Sequence, residues 1–192
     1  MSARARRRRA TTTTANGKAA QLAPLDQRVD LRVGLVISAK RHEEAEKLYI
    51  EEIDLGEPEG PRTILSGLVP YMSAEEIAGK KVIVFANLKA RKLAGIPSHG
   101  MILAASDASH ENVELLVAPE DAVVGERVRF GDSDEPQAEP QTPNQIQKKK
   151  TWEELQPLLR TNDACVPTYE GAPMMTSAGA VACATLVDAS VG

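Results

Sequence analysis

Aromatic side chains are scarce in this chain: one tryptophan, three tyrosines and two phenylalanines among 192 residues. Apolar residues still make up 42% of it, so aliphatic side chains must fill the core. So few rings argue against a row of stacking platforms for single-stranded nucleic acid. Only two cysteines occur, Cys165 and Cys183, too few for a disulfide framework. They read as free thiols in a reducing compartment, with a single bridge as the alternative. No apolar run approaches the roughly 20 residues of a membrane span, and no secretory signal core is recognisable. His42, His99 and His110 have no ligand spacing with either cysteine, so no metal site is expected. Gly34, Gly56 and Gly60 stand as isolated turn residues rather than a phosphate loop. Ser66-Gly67 lacks the Gly-x-Ser-x-Gly frame of a nucleophile elbow. No catalytic residue and no cofactor are expected.

Charge is unevenly spread. The formal net charge is −4, yet residues 80–101 hold Lys80, Lys81, Lys89, Arg91 and Lys92 with no acid among them. Only the local potential matters to a phosphate within about 10 Å. Cations at the mouth of an apolar strand (Val82, Ile83, Val84, Phe85) suit an anionic polymer better than a small metabolite. Lys89, Arg91 and Lys92 are therefore candidate phosphate contacts, against the bland alternative of a solvated face. Asn87 and Ser98 either bond backbone in the turns or reach sugar and phosphate. His99 lies in the same stretch. Lys40 and Arg41, with His42, follow the first strand and extend the basic surface. Lys148, Lys149 and Lys150 read as a solubility device or a second contact. At the N-terminus, Arg4 and Arg6 to Arg9 precede four threonines, with no acid before Asp26. Residues 1–25 read as a disordered basic arm that raises affinity for RNA, with an organellar transit peptide or a nuclear signal as alternatives.

Periodicity predicts strands. From Val29, Leu31, Val33, Leu35 and Ile37 alternate with Asp30, Arg32, Gly34 and Ser38, the pattern of a half-buried strand. Further strands are expected over 48–55, 62–68, 81–86, 101–105 and 113–117, with a turn at Gly95 to Pro97. Ser73-Ala74-Glu75-Glu76 is a capping box, and Gly79 a plausible stop, so one short helix interrupts the strands. This order predicts an all-β dominated chain with minor α: a small Greek-key barrel of the OB type, spanning 26–130. Residues 131–150 read as a linker or an ordered crossing loop. Thr151-Trp152-Glu153-Glu154 reads as a second capping box, and the tail over 151–192 as short strands that pack onto the barrel. Tyr49, Phe85 and Trp152 read as core, and so, taken alone, does Met101.

Several short runs, in order, carry a resemblance. They are Leu31-Arg32-Val33-Gly34, His42 with Leu48-Tyr49, Ser66-Gly67-Leu68, and the stretch from Asn87 to Ser106. Downstream come Trp152-Glu153, Gln156-Pro157, Thr161-Asn162-Asp163, Cys165-Val166 and Thr168-Tyr169. Together they resemble the tRNA-binding domain shared by bacterial tRNA-binding proteins and endothelial monocyte-activating polypeptide II (EMAP II). The resemblance implies an OB-fold that binds tRNA by its overall shape, at the outer corner of the L. It implies a cofactor that delivers or retains tRNA for aminoacyl-tRNA synthetases, in the cytoplasm, and it places Met101 at the RNA face. It further implies that the EMAP II-like extension takes the place of a dimer partner, leaving a monomeric core. Departures are Ala90, where the family usually has proline, and His42-Glu43-Glu44-Ala45-Glu46, where it has His-Pro-x-Ala-Asp. The coiled coil that relatives use to dock on synthetases has no counterpart in these 192 residues. Two alternatives stand beside this reading: a protein-interaction or chaperone-like module on the same barrel, and a released signalling fragment around Arg32 to Ser38.

Overall fold

The computed structural model describes residues 23–133 and 135–192; the basic arm lies, up to residue 22, outside the described residues. One turn of helix (α1, Leu25–Arg28) leads into a meander of three antiparallel strands, β1 (Leu31–Arg41), β2 (Tyr49–Asp54) and β3 (Arg62–Ser66). The helix α2 (Ala74–Ile77) follows, started by the expected capping box, with the Ser73 and Glu76 side chains each bonded to the other's backbone N–H. Strand β4 (Lys81–Phe85) then returns beside β1. The chain leaves the sheet as a hairpin, β5 (Arg91–Leu93) and β6 (Ile96–Ser98), and rejoins it at β7 (Met101–Ile102). A second hairpin, β8 (Ala104–Ser106) and β9 (Val113–Leu115), completes the curled, strand-dominated barrel of OB type.

The remainder supplies β10 (Arg129–Phe130), helices α3 (Pro143–Lys149) and α4 (Thr151–Leu155), and the strands β11 (Leu159–Thr161), β12 (Pro167–Tyr169), β13 (Ala172–Thr176), β14 (Gly179–Ala180) and β15 (Ser190–Val191). The two parts share a sheet: Ser190 and Val191 of β15 pair with Ser106 and Ala105 of β8. They also share a core. Along β4, Val82 and Val84 pack with Tyr49, Ile53, Ile64 and Ile77 inside the barrel. The alternate residues Ile83 and Phe85 pack with Leu155, Leu159, Met174, Val181 and Val191 from the C-terminal segment. Phe85 meets Trp152 with ring centroids 4.9 Å apart. Four successive apolar residues in β4 therefore record burial on both faces.

Three local expectations need correction. Strand β1 is not half-buried: Leu31 and Val33 face the outer core, and Val36 faces the inner one. A register shift between Val36 and Ser38 then changes phase, so Ala39 turns inward and Ile37 is left exposed. Second, the segment 131–150 is not all linker. Thr142 caps α3 in a true capping box with Gln145, and Ile146 on that helix is buried in the outer core. Third, Thr151 caps nothing: α4 has no side-chain cap, and the Thr151 hydroxyl bonds the Gln141 side chain instead.

Gly34 is a strand residue rather than a turn residue, and it sits against the side chains of the inner core. A Cβ there would lie 2.7 Å from Ile53, 2.9 Å from Leu55 and 3.0 Å from Val84. Gly34→Ala is expected to cost about 1–3 kcal/mol through overpacking, read as a lower melting temperature by circular dichroism.

Glu51 is the odd member of the inner face of β2. It is wholly buried; one carboxyl oxygen accepts a hydrogen bond from the Ser66 hydroxyl and the other has no partner. Burial pushes this carboxyl up from 4.5 to about 7. The folded state thus prefers the neutral acid. Its contribution to stability is present below about pH 4.5 and is lost as pH rises through about 7. Denaturant titrations should show the wild type losing on the order of 2 kcal/mol between about pH 5 and about pH 8. Glu51→Gln should flatten that dependence.

Candidate nucleic-acid interface

The cations expected to bind phosphate stand on the β5–β6 hairpin and at its root. Pairing of Leu93 with Ile96 leaves Ala94 and Gly95 as a two-residue turn. Their φ angles, 45° and 85°, are the positive values such tight hairpins need. The expected turn at Gly95 to Pro97 is therefore displaced: Pro97 lies within β6, opposite Lys92. A two-stranded ribbon tolerates proline on a strand whose N–H side is not needed.

Three side chains fix this arm. At its root, Arg62 donates to the carbonyls of Ala86 at 2.6 Å and His99 at 3.0 Å, the two ends of the excursion. The rest of the Arg62 fork is taken by Glu57 through bonds of 2.7 and 2.6 Å. The bonded guanidinium holds the Glu57 carboxyl below the usual carboxylate range. Along its flank, Ser98 Oγ accepts from Leu65 N at 3.0 Å and donates to Gly100 O at 3.1 Å. At its tip, His42 Nε2 lies 3.2 Å from Ala94 O. His42 Nδ1 faces the backbone N–H groups of Glu44 and Ala45, each at 3.1 Å. A nitrogen facing two donors must be the acceptor, so the proton sits on Nε2 and is donated to Ala94.

The backbone is held while the charges stay free. Lys89, Arg91 and Lys92 are exposed, and none takes part in an ion pair among the described residues. Arg91 and Leu93 line a groove of about 620 Å³ together with Lys89, Ser98 and Met101, and no aspartate or glutamate lines it. Lys92, between Arg91 and Leu93 on the strand, belongs to the opposite face of the ribbon. Met101 pairs with Phe85 on β4 and is half-buried, so it is both core and groove floor. The ring of His99 is exposed; its backbone is pinned by Thr63 and Arg62. Lys40 and Arg41 end β1 in the open, with the Arg41 guanidinium 6.0 Å from the centre of the Tyr49 ring.

Two candidates take the bland role. Asn87 is buried, and its amide is consumed by Asp30 N at 2.8 Å, Arg28 O at 3.3 Å and Gln141 O at 2.7 Å. It ties α1, β1 and the approach to α3 together and has no group left for sugar or phosphate. Ser98 is likewise buried, with its hydroxyl both donating and accepting. His42 adds nothing to the basic surface, because burial and three backbone partners make it the clip of the arm. Lys148 and Lys149 close α3 and Lys150 follows, all exposed. Sequence reasoning missed Arg62 and Glu57, whose signal, a cation and an acid five residues apart, is too common to single out. Cys165 and Cys183 are free thiols. Among the described residues no group of three His, Cys, Asp or Glu side chains is placed to hold a metal.

Known proteins share this architecture. The family model of the tRNA binding domain, tRNA_bind, matches residues 31–127. The protein named probable methionine–tRNA ligase of Oryza sativa subsp. japonica is 48% identical over 79% of this chain and 18% of its own length. The aminoacyl tRNA synthase complex-interacting multifunctional protein 1 of Mus musculus is 43% identical over 78% of this chain and 46% of its own length. The chain thus spans less than half of these curated relatives. The crystal structure of the C-terminal domain of Plasmodium vivax p43 superposes with a TM-score of 0.80 at 32% identity, covering 89% of this chain and all of that one. The match spans the barrel and the arm it carries, and this chain belongs to the tRNA-binding domain family.

Proposed function

We propose that this chain is a non-catalytic tRNA-binding protein that reads the shape of folded tRNA and retains or delivers it for aminoacyl-tRNA synthetases. The observation that carries the reading is the preformed cationic arm. Arg62, Ser98 and His42 fix its backbone, so little order has to be gained when Lys89, Arg91 and Lys92 meet phosphates. Unpaired cations on a rigid ribbon suit a polyanion of fixed shape, since phosphate contacts position a partner without reading bases. A role beside synthetases is supported by the relatives, one named as a methionine–tRNA ligase and one as interacting with a synthase complex. A monomeric core is supported by the C-terminal segment, which covers the outer face of β4 and pairs with β8, surfaces a second copy would otherwise use.

Titration with a folded tRNA and an unstructured RNA of equal length, at two salt concentrations, tests the reading. Folded tRNA should bind more tightly. Lys89/Arg91/Lys92→Ala should lower the slope of log K against log salt by about 2–3, since each phosphate no longer neutralised removes roughly 0.7–0.9. Equal binding of both RNAs by the wild type would overturn it.

The clip generates a separate expectation. His42→Ala should leave the barrel folded but speed hydrogen exchange at the amides of residues 91–98. It should weaken tRNA binding several-fold with nearly the wild-type salt slope, because order is lost and charge is not.

A further inference from the structure

The groove beside the arm is more than a row of charges. Its floor is apolar: half-buried Met101 lies there with Leu65 and Ile102, which are almost wholly buried. Lys89 and Arg91 supply cations at its wall. Tyr71, at 40% exposure, lines it too, next to His110, whose carbonyl accepts the Tyr71 hydroxyl at 3.3 Å. A contact made by phosphates alone needs no apolar floor. A volume of about 620 Å³ falls within the roughly 300–1,000 Å³ of small-molecule clefts. It is open to a group that is flat, aromatic and tethered to a phosphate.

We propose that this groove receives one unpaired nucleobase of the bound RNA, with its ring against Met101 and Tyr71 and its phosphate on Lys89 or Arg91. The inference rests on the proposed binding of folded tRNA and adds a base pocket to it. Folded RNAs present unstacked bases in loops, and aromatic side chains receive them. Tyr71 is oriented for this role: its hydroxyl is engaged by His110, and its backbone N–H bonds Leu68 O at 2.9 Å. Thioether sulfur is polarisable and suits the face or edge of a ring. No aspartate or glutamate side chain lines the groove to repel the phosphate, and Gln156, Ser190 and Gly192 close its far end. One exposed tyrosine cannot form a stacking row for a long single strand, but one base needs only one.

Methyl-detected NMR of the whole chain, with nucleoside monophosphates as probes and ribose 5-phosphate as control, tests the pocket directly. The Met101 and Ile102 methyl signals should shift with the nucleotides and stay unmoved with the base-free sugar phosphate. Tyr71→Ala should abolish these shifts and weaken tRNA about tenfold while keeping the wild-type salt slope. Tyr71→Phe, which keeps the ring and loses only the orienting bond to His110, should retain the shifts and most of the tRNA affinity. If the wild type binds tRNA but nucleotides move neither methyl and Tyr71→Ala binds normally, the base pocket is wrong and tRNA binding stands. If nucleotides shift the methyls in a Tyr71-dependent way but tRNA does not bind, the pocket stands and the proposed function falls.

Discussion

Strand β4 carries Val82 and Val84 on one face and Ile83 and Phe85 on the other, all buried, and each face needs its own cover. The barrel interior covers the first. The segment from Ile146 to Val191, together with Leu103, Leu116 and Val128, covers the second. A surface of this kind left open would invite association or aggregation, so this two-sided burial makes one folded body of barrel and extension. The arm inherits its position from it. The chain enters the arm directly from β4 and returns to it at β7, so whatever fixes β4 fixes the place of Lys89, Arg91 and Lys92.

Cations in this chain fall into two populations that composition does not separate. Arg62, Arg32 and Arg127 are engaged in bonds to acids and backbone carbonyls. Burial lowers the affinity of Arg127 for its proton, and neighbouring Asp30 works the other way. These arginines act as struts. Their planar forks suit the work, because one side chain bonds several acceptors at fixed angles. Lys89, Arg91 and Lys92 have none of these partners. The struts hold backbone, and the free cations hold charge in reserve.

Much of this was legible in the residues. The Val-Ile-Val-Phe run, the Ser73 capping box and the acid-free stretch 80–101 each name a local cause with a local effect, and the strands, α2 and the charged patch follow. What was not legible depends on pairs distant in the chain. Arg62 acts on Ala86 and His99, and His42 on Ala94, across 24 to 52 positions. The β5–β6 hairpin hid behind Pro97, a residue that ordinarily argues against a strand. Asn87 resembled an RNA contact because it adjoins the cations, and only the position of Gln141 shows its amide to be spent. In β1, alternation suggested one wet face; the second dry face depends on a segment more than 100 residues away.

The pairing of β15 with β8 also sets an order of events during synthesis. Ser106 must wait for Ser190, 84 residues later. At about 5–20 residues per second that gap lasts on the order of 4–17 s, long compared with the microseconds in which a hairpin forms. Throughout it, the part of the outer core that Leu155, Leu159, Met174 and Val191 close would face water or whatever receives the nascent chain. The barrel can therefore begin to form early and finish late. A ribosome that stalls between residues 117 and 190 would present a half-closed sheet with an open edge, the species that the cell's holding chaperones are built to find.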